Sequence, residues 1–386
     1  MTEPIRTLTE LLERASAKRF LEAPPAEGLG LSDHVVFPYL ALVGQSEMKL
    51  ALLLGLINPN VGGVLLIGPR GTGKTTAVRS LADMLPPVER SRCPYGCLPE
   101  DISAAGLEAV CPDCARKSAA GEPLTFTDRV SLVELPLNAR LEDVVGGLDE
   151  RAAVHQRLRL DRGILARADL NLLYVDEVNL LADDIVDAIL DAAAQGLYSV
   201  HRGPMAATYR ARFVLIGSMN PEEGRLRPQI MDRFGLRVMV KGLNDQKKRL
   251  EAYRRTIAFR THPREVMEDY REATEAVSAE LAGARANLPQ VKLTPAAERL
   301  GLQLVREMRI DSLRAEITLF EAARAYAAAD GRTSATPEDV RLIAPLALRL
   351  RRSEFMKDYM AEQSREDLQL QRLLRRRPAP RSPRRS

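Results

Sequence analysis

Short apolar runs that alternate with amphipathic helical patterns fill the chain between residues 37 and 242. Four of these runs have the length and composition of buried strands: "GGVLLI", "SLVELP", "LNLLYVDE" and "RFVLIGSMN". Between the last two, "DDIVDAILDAAAQG" places Ile185 and Ile189 on one helical stripe, and we expect Asp183 to cap its start and Gly196 to end it. Strands that alternate with helices predict an α/β fold, with a parallel sheet covered by helices on both faces.

Beyond residue 242 the strand signals fade and helical patterns take over. Leu300, Leu304 and Met308 recur at helical spacing, and a last helix is predicted to begin at "TPEDV", with Thr336 as its cap. The patterns predict five segments: an N-terminal leader at 1–36, an α/β core at 37–242, a helical connector at 243–299, a helical lid at 300–352, and a disordered Arg- and Pro-rich tail at 353–386.

Composition and charge narrow the function classes. Aromatic residues make up only 4% of the chain, which favours helices over a barrel or sandwich of short strands. The stretch from Arg372 to the end carries seven Arg and no acidic residue, and without it the net charge would change from +4 to −3. Contact with RNA or an acidic partner would therefore depend on the tail alone, and nucleic acid is not a predicted partner.

Targeting signals are absent from the pattern. The N-terminal residues lack the apolar stretch of a secretory signal, and no apolar run approaches the roughly 18–20 residues of a membrane span. We therefore expect a cytoplasmic protein without a membrane span.

A glycine-rich motif follows the first predicted strand directly. In "VLLIGPRGTGKTT", an apolar strand leads into G-x4-G-K-T and then into an amphipathic helix, which is the context that a phosphate-binding loop requires. Its glycines let backbone N–H groups point at phosphates, Lys74 adds a positive charge, and Thr75 offers a hydroxyl to Mg²⁺. The residues predicted to bind nucleotide are Gly68, Pro69, Arg70, Gly71, Thr72, Gly73, Lys74, Thr75 and Thr76.

Polar residues that suit hydrolysis end the last two of the four predicted strands. Asp176 is placed to hold Mg²⁺, and Glu177 to orient and deprotonate a water molecule. Asn220 can position that water, and Arg233, in a loop region rich in Arg, can reach a neighbouring subunit's ATP. Taken one at a time, these residues are also compatible with a solvated strand end, a turn and a surface Arg.

Longer stretches resemble one family. "FPYLALVGQSEMKLALLLGLINPNVGGVLLIGPRGTGKTTAVRSLADMLP", "LNLLYVDEVNLL" and "FVLIGSMNPEEGRLRPQIMDRFGL" are similar to the AAA+ ATPase (I) subunits of magnesium chelatase, from about Phe37 to Arg351. The resemblance implies an AAA+ P-loop sheet flanked by helices, followed by a smaller all-helical lid. It also implies that Lys74 and Thr75 belong to Walker A, that Asp176 and Glu177 belong to Walker B, and that the sensor 1, arginine-finger and sensor 2 residues are Asn220, Arg233 and Arg314.

The resemblance further implies a function. Such subunits form a homo-oligomeric ring, usually a hexamer, that hydrolyses MgATP. They work with a von Willebrand A-type subunit and a large porphyrin-binding subunit to insert Mg²⁺ into protoporphyrin IX. A cobalt-chelatase-like ATPase, a MoxR-type metal-loading chaperone and an ATP-dependent binding module would share many of these motifs and remain alternatives.

All four cysteines lie in one insertion, "RCPYGCLPEDISAAGLEAVCPDCARK", as C-x3-C, thirteen residues, then C-x2-C. Two such pairs can wrap a tetrahedral structural Zn²⁺. A regulatory thiol/disulfide pair, unligated cysteines and an iron–sulfur cluster remain alternatives. The candidate ligands are Cys93, Cys97, Cys111 and Cys114, and they are not part of the motif set on which the family resemblance rests.

Overall fold

The computed structural model describes residues 35–147, 161–202, 205–224 and 226–351. Nearly all of the predicted leader (1–34), the whole predicted tail and Arg225 lie outside the described residues. The described residues from Phe37 onwards belong to one compact unit.

A five-stranded parallel sheet forms the centre of this unit. The strands of the described chain are β1 (Val64–Ile67), β2 (Val88–Ser91), β3 (Thr125–Asp128), β4 (Leu132–Leu135), β5 (Leu172–Val175), β6 (Leu197–Arg202), β7 (Met205–Arg210), β8 (Val214–Met219), β9 (Leu236–Met239), β10 (Lys292–Leu293) and β11 (Ser334–Ala335). The central sheet has the order β4-β5-β8-β1-β9, and every neighbouring pair is parallel. The four predicted strands are therefore confirmed, and β9 is an edge strand that the pattern did not predict.

The described chain has thirteen α-helices, some of which cover both faces of the sheet. They are α1 (Ser46–Ile57), α2 (Lys74–Arg79), α3 (Pro99–Ala105), α4 (Pro112–Ala119), α5 (Leu141–Val145), α6 (Ile164–Arg167), α7 (Asp183–Gln195), α8 (Pro228–Arg233), α9 (Gln246–Thr261), α10 (Pro263–Asn287), α11 (Pro295–Glu307), α12 (Arg314–Ala329) and α13 (Pro337–Leu348). Along β1, Val64 and Leu66 pack into one apolar cluster with α1 and α12, whereas Leu65 and Ile67 pack into a second one with α7. This alternation is that of a sheet buried on both faces, and it confirms the α/β prediction.

Helix ends follow the predicted caps with one difference. Thr336 occupies the cap position of α13, as predicted, and its N–H donates to Asp339 Oδ2 at 2.7 Å. Gly196, with φ +69°, ends α7. Asp183, however, is the first residue of α7, because Ala182 occupies the cap position. The Asp183 carboxylate pairs with Arg227, and its charge still favours the positive end of the helix.

Two antiparallel ribbons project from the parallel sheet. β2 pairs with β3, and this ribbon encloses residues 92–124. The cysteine insertion, with α3 and α4, therefore extends beyond the predicted stretch to the start of β3. β6 pairs with β7 in a hairpin that leads from α7 to β8.

The region after β9 is helical, apart from the short parallel pair β10–β11. The side chain of Asn58, which follows α1, donates to Glu321 of α12 at 2.7 Å, and Thr318 Oγ1 donates to the Val61 carbonyl at 3.3 Å. The boundaries of the connector and the lid stay predictions. None of the described helices is long and apolar enough to cross a membrane.

Candidate active site

The phosphate loop runs from the end of β1 to the start of α2. Gly73 has φ +85°, a conformation that a side chain would strain. A Cβ on Gly68 would overlap the backbone of Val240, so this position also needs glycine. The sequence therefore shapes the loop at both of its ends.

Lys74 lies inside the loop as the first residue of α2. Its Nζ donates to the carbonyls of Gly68 at 2.6 Å and Pro69 at 2.8 Å. Burial lowers the pKa of Lys74, and the nearby carboxylates of Asp176 and Glu177 partly offset that shift. The ammonium is thus held over the loop by two carbonyls, which a phosphate oxygen can replace as its partners.

Four side chains join α2 to the carboxyl ends of β5 and β8. The Tyr174 hydroxyl lies 2.8 Å from Asp176 Oδ1 and 3.2 Å from Thr75 Oγ1. Ser218 Oγ donates to the same Asp176 oxygen. Burial raises the pKa of Tyr174, so its hydroxyl stays protonated and can donate to the carboxylate. The network fixes the two predicted Mg²⁺ ligands, Thr75 and Asp176, beside each other.

Glu177 follows Asp176 in a left-handed backbone conformation, φ +50°. Its N–H donates to Ser218 Oγ at 3.2 Å, which helps to hold this strained geometry. Its carboxylate is 3.1 Å from Arg70 Nη2, and Arg70 also pairs with Glu223. The proposed base is therefore tied to the phosphate loop by an ion pair.

These groups line one cleft of about 310 Å³. Its lining consists of Arg70, Gly71, Thr72, Gly73, Lys74, Thr75, Thr76, Asp176, Glu177, Ser218, Met219 and Asn220. Gly68 and Pro69 do not line it and contribute through the carbonyls that hold Lys74. Hard oxygen donors beside a lysine and a glycine loop are the chemistry that a Mg²⁺-bound triphosphate requires, so these residues fit that ligand.

A second cavity of about 730 Å³ adjoins the loop and shares Gly71, Thr72 and Gly73 with the cleft. Apolar side chains, among them Phe37, Val43 and Met48, line it. Its size and apolar lining suit a nucleobase. Sequence reasoning did not predict this cavity, because its walls come from segments far apart in the chain.

Arg233 and Arg314 lie elsewhere. Arg233, at the end of α8, is held by two carboxylates of α7: Asp191 at 2.8 Å and Asp187 at 3.4 Å. Arg314 begins α12, and its Nη1 is 3.7 Å from Asp232 Oδ2. Both arginines line a cavity of about 1110 Å³, and neither is among the residues that line the phosphate cleft in the described chain.

The four cysteines converge in the insertion. Their sulfur atoms all lie within 4.8 Å of one another, and none forms a disulfide. Cys93 Sγ lies 3.6 Å from Cys97 Sγ and 3.5 Å from Cys111 Sγ. Two backbone N–H groups point at the sulfurs: Tyr95 N at Cys93 and Cys111 N at Cys97, each at 3.4 Å.

The structure thus brings together the predicted loop, Asp176, Glu177 and Asn220 in one cleft. It groups the cysteines separately, and it places both arginines at a different cavity. Sequence reasoning missed Ser218, which lines the cleft, and also Tyr174 and Glu223, which bind the cleft residues Asp176 and Arg70. Tyr174 lies within the continuous apolar run of a buried strand, so its pattern is that of a core residue, and only its position two residues before Asp176 could have indicated more.

Comparisons with known proteins agree with the geometry. The AAA lid domain family matches residues 302–373. The chain is 44% identical to the magnesium-chelatase 38 kDa subunit of Acidiphilium rubrum, over 82% of this chain and 91% of that protein. It is 42% identical to the magnesium-chelatase subunit ChlI homolog of Methanocaldococcus jannaschii, over 83% of this chain and 87% of the relative. Among solved structures, it is similar to a chain in the cryo-EM-based complex of magnesium-chelatase subunits BchI and BchD, with 38% identity over 84% of this chain and 99% of that one and a TM-score of 0.46.

Proposed function

The chain belongs to the family of magnesium-chelatase AAA+ ATPase subunits, and we propose that it is the ATP-hydrolysing motor subunit that drives insertion of Mg²⁺ into protoporphyrin IX. The observation that carries the proposal is the single cleft in which the phosphate loop meets Asp176, Glu177 and Asn220. Family membership supplies the substrate class, and the cleft supplies the chemistry.

Five residues of the cleft have chemical roles in this proposal. Lys74 binds the terminal phosphates, and Thr75 and Asp176 hold the Mg²⁺ that neutralises developing phosphate charge. Glu177 takes a proton from the attacking water, which the Asn220 amide orients. Glu177 must leave its pairing with Arg70 to act as a base, so the ion pair favours the resting state.

The placement of Arg233 and Arg314 supports action between subunits. Both line a cavity separate from the chain's own phosphate cleft, so a neighbouring subunit is the reasonable source of the nucleotide that they contact. We propose a ring, of six subunits as in the resemblance, with Arg233 as the finger and Arg314 as sensor 2. A von Willebrand A-type subunit and a porphyrin-binding subunit are the proposed partners.

We also propose that the cysteine cluster holds one structural Zn²⁺. A tetrahedral site with Zn–S bonds of about 2.3 Å has sulfurs about 3.8 Å apart, whereas a disulfide needs about 2.05 Å. The observed distances between sulfur atoms, 3.5 and 3.6 Å, are close to the spacing in a zinc site. The two N–H groups aimed at sulfur stabilise thiolates in the way that outer-shell partners of metal ligands do.

Replacement of the base tests the motor. Glu177→Gln should retain ATP binding and lower turnover by at least about 100-fold, since it removes general-base catalysis. Glu272→Gln, the same change at an exposed site on α10, is the matched control and should hydrolyse ATP at the normal rate. Normal ATPase activity in Glu177→Gln would refute the assigned role.

Reconstitution tests the substrate. The protein, combined with the two proposed partner subunits, ATP and protoporphyrin IX, should change the porphyrin fluorescence on addition of Mg²⁺, and Glu177→Gln should not. Insertion with Co²⁺ alone would overturn the choice of metal. Failure with every metal, despite normal ATPase activity, would favour a metal-loading chaperone.

A further inference from the structure

The cysteine insertion lies against the β6–β7 hairpin. Tyr95 lies between Cys93 and Cys97, and its ring stacks on the ring of Tyr209 in β7. The ring centroids are 5.6 Å apart, and the angle between the ring planes is 21°. Tyr209 in turn lies 5.6 Å from Tyr198 in β6. One aromatic side chain of the insertion thus contacts a pair that spans both strands of the hairpin, and such stacking contributes about 0.5–1.5 kcal/mol beyond the buried area.

The adjacent hairpin residue makes two more contacts. The Arg210 guanidinium pairs with Asp101 of α3, and both side chains are largely buried, at 29% and 21% exposure. Gly96 lies on the methylene groups of Arg210, where a Cβ would come within 3.0 Å of them. Asp101 also accepts from the Leu98 N–H at 2.8 Å, which fixes its position at the start of α3. The interface between the insertion and the hairpin therefore contains both apolar packing and an ion pair.

The base of the insertion is fixed to the sheet. Arg90 in β2 donates to the Asp169 carbonyl and to Asn171 Oδ1, each at 2.9 Å, just before β5. The tip has little of its own to hold it. Its buried apolar residues are Cys97, Cys114 and Leu124 alone among those described, too few for an independent core. A metal held by the two cysteine pairs would add a cross-link inside the insertion, beside its contacts with the hairpin.

The hairpin connects two parts of the ATPase machinery. α7, whose Asp187 and Asp191 hold Arg233, ends at Gly196 and leads directly into β6. β7 leads into β8, which carries Ser218 and ends just before Asn220 at the cleft. A rigid hairpin thus constrains α7, whose carboxylates hold Arg233, on one side and β8, which leads to Asn220, on the other.

We propose that the metal-loaded insertion, residues 92–124, is a brace that holds the β6–β7 hairpin in place through Tyr95, Gly96 and Asp101. Loss of the metal releases the tip of the insertion and with it the hairpin, while the phosphate cleft stays formed. The inference rests on the proposed zinc site for its metal dependence, but the contacts with the hairpin are independent of which metal is bound.

Metal content and hydrogen exchange test the brace on the full chain. We expect about one Zn²⁺ per chain and, after removal of zinc with a chelator, amide exchange at least about tenfold faster in segments 197–202 and 205–210. Exchange in β1 and α2 should not change, and zinc added back should restore protection. ATP binding should persist in the zinc-free protein.

A second variant separates the brace from the fold of the insertion. Tyr95→Ala keeps all four cysteines, so it should retain full zinc and still show faster exchange in the hairpin. Tyr253→Ala removes an equally large exposed side chain on α9 and should leave the hairpin unchanged. If zinc removal unfolds more than the insertion, hairpin exchange in zinc-loaded Tyr95→Ala alone tests the brace.

Each outcome has a separate meaning. Full zinc with unchanged hairpin exchange in both the stripped protein and Tyr95→Ala would overturn the brace and leave the zinc site intact. Less than about 0.2 Zn²⁺ per chain, or the absorption of an iron–sulfur cluster, would overturn the zinc site and the metal dependence together. Neither result would affect the ATPase assignment, which Glu177→Gln tests.

Discussion

Tyr174 connects the phosphate loop to the carboxylate of β5. Its hydroxyl bridges Asp176 at 2.8 Å and Thr75 at 3.2 Å, while its ring is buried in the core. These are the two residues assigned to Mg²⁺, so Tyr174 is a positioning residue. It contributes by holding both ligands at one spacing before the metal arrives.

Tyr174→Phe should therefore change the metal dependence more than the fold. The ring still fills its site, and the lost hydrogen bonds cost about 1–2 kcal/mol of unfolding free energy. We expect the Mg²⁺ concentration for half-maximal ATPase activity to rise by about tenfold, within the range for loss of an outer-shell partner. ATPase titrations with Mg²⁺ at saturating ATP measure this directly.

Tyr39→Phe is the matched control for that prediction. It also removes a hydroxyl from a buried tyrosine, one that donates to the Lys49 carbonyl at 2.9 Å outside the phosphate cleft. It should lower stability without moving the Mg²⁺ midpoint. Equal midpoints for Tyr174→Phe and the wild type would show that the bridge does not position the metal ligands.

At the level of elements, Asp232 near the end of α8 binds residues of three other segments. It accepts from Arg351 at 2.9 Å after α13, from Ser312 at 2.7 Å before α12, and from Arg237 in β9 at 3.4 Å. The side chains of Arg237 and Arg351 are almost fully buried. Burial lowers the pKa of Arg237 to about 9, so it remains charged at neutral pH and needs this carboxylate.

Asp232→Asn should lower the free energy of unfolding by about 2–4 kcal/mol, because it leaves buried guanidinium charges uncompensated. Asp330→Asn, which removes an exposed partner of Arg332, is the control and should cost less than about 0.5 kcal/mol. Urea unfolding of both variants measures the difference.

The pH dependence of that difference has a definite sign. Burial acts to raise the pKa of Asp232, but the hydrogen bond from Ser312 and the charge of Arg351 outweigh it, so the pKa is lowered. A carboxyl whose folded pKa lies below its unfolded value stabilises at neutral pH and loses that contribution as pH falls through the folded pKa. The gap between wild type and Asp232→Asn should therefore narrow in acid, and a gap that stays constant would contradict the proposed network.

The contacts of Arg237 in this network also bear on which strands could be predicted from the sequence. The strands β1 and β5 are continuous apolar runs, β8 begins with one, and β4 is apolar apart from Glu134, so their local pattern predicts them. β9, which is apolar apart from Arg237, was not predicted. Its buried Arg237 pairs with Asp232 and donates to the Leu350 carbonyl at 2.7 Å, a contact between distant segments. Pairings between segments distant in sequence decide such elements.

The candidate site divides in the same way. The phosphate loop and the Asp176–Glu177 pair are local patterns in which neighbours fix the geometry, so the sequence predicted them. The ion pair of Arg70 with Glu223 and the stack of Tyr95 on Tyr209 join distant segments, and no periodicity indicates them. The spacing of the cysteines predicted that their sulfur atoms converge, but it did not predict that the insertion lies on the β6–β7 hairpin.

For the whole molecule, the separation of Arg233 and Arg314 from the phosphate cleft is the main constraint on assembly. A head-to-tail contact that places one subunit's arginine face on the next subunit's cleft repeats around a closed ring. Exposed apolar side chains accompany the arginines on this face: Leu313, next to Arg314, is 75% exposed, and Ile317 is 56% exposed. Such a surface suits burial against another subunit.

Mixing two inactive variants tests this arrangement. Arg233→Ala should lower turnover by about 1000-fold through loss of the arginine finger. In a mixture with Glu177→Gln, an Arg233→Ala subunit keeps its own Glu177 and can receive Arg233 from a Glu177→Gln neighbour. Random assortment at equal amounts restores about a quarter of the interfaces, so ATPase activity should rise far above that of either variant alone. If the mixture stays at the sum of its parts although both variants assemble into rings, Arg233 acts within its own subunit and the head-to-tail contact is wrong.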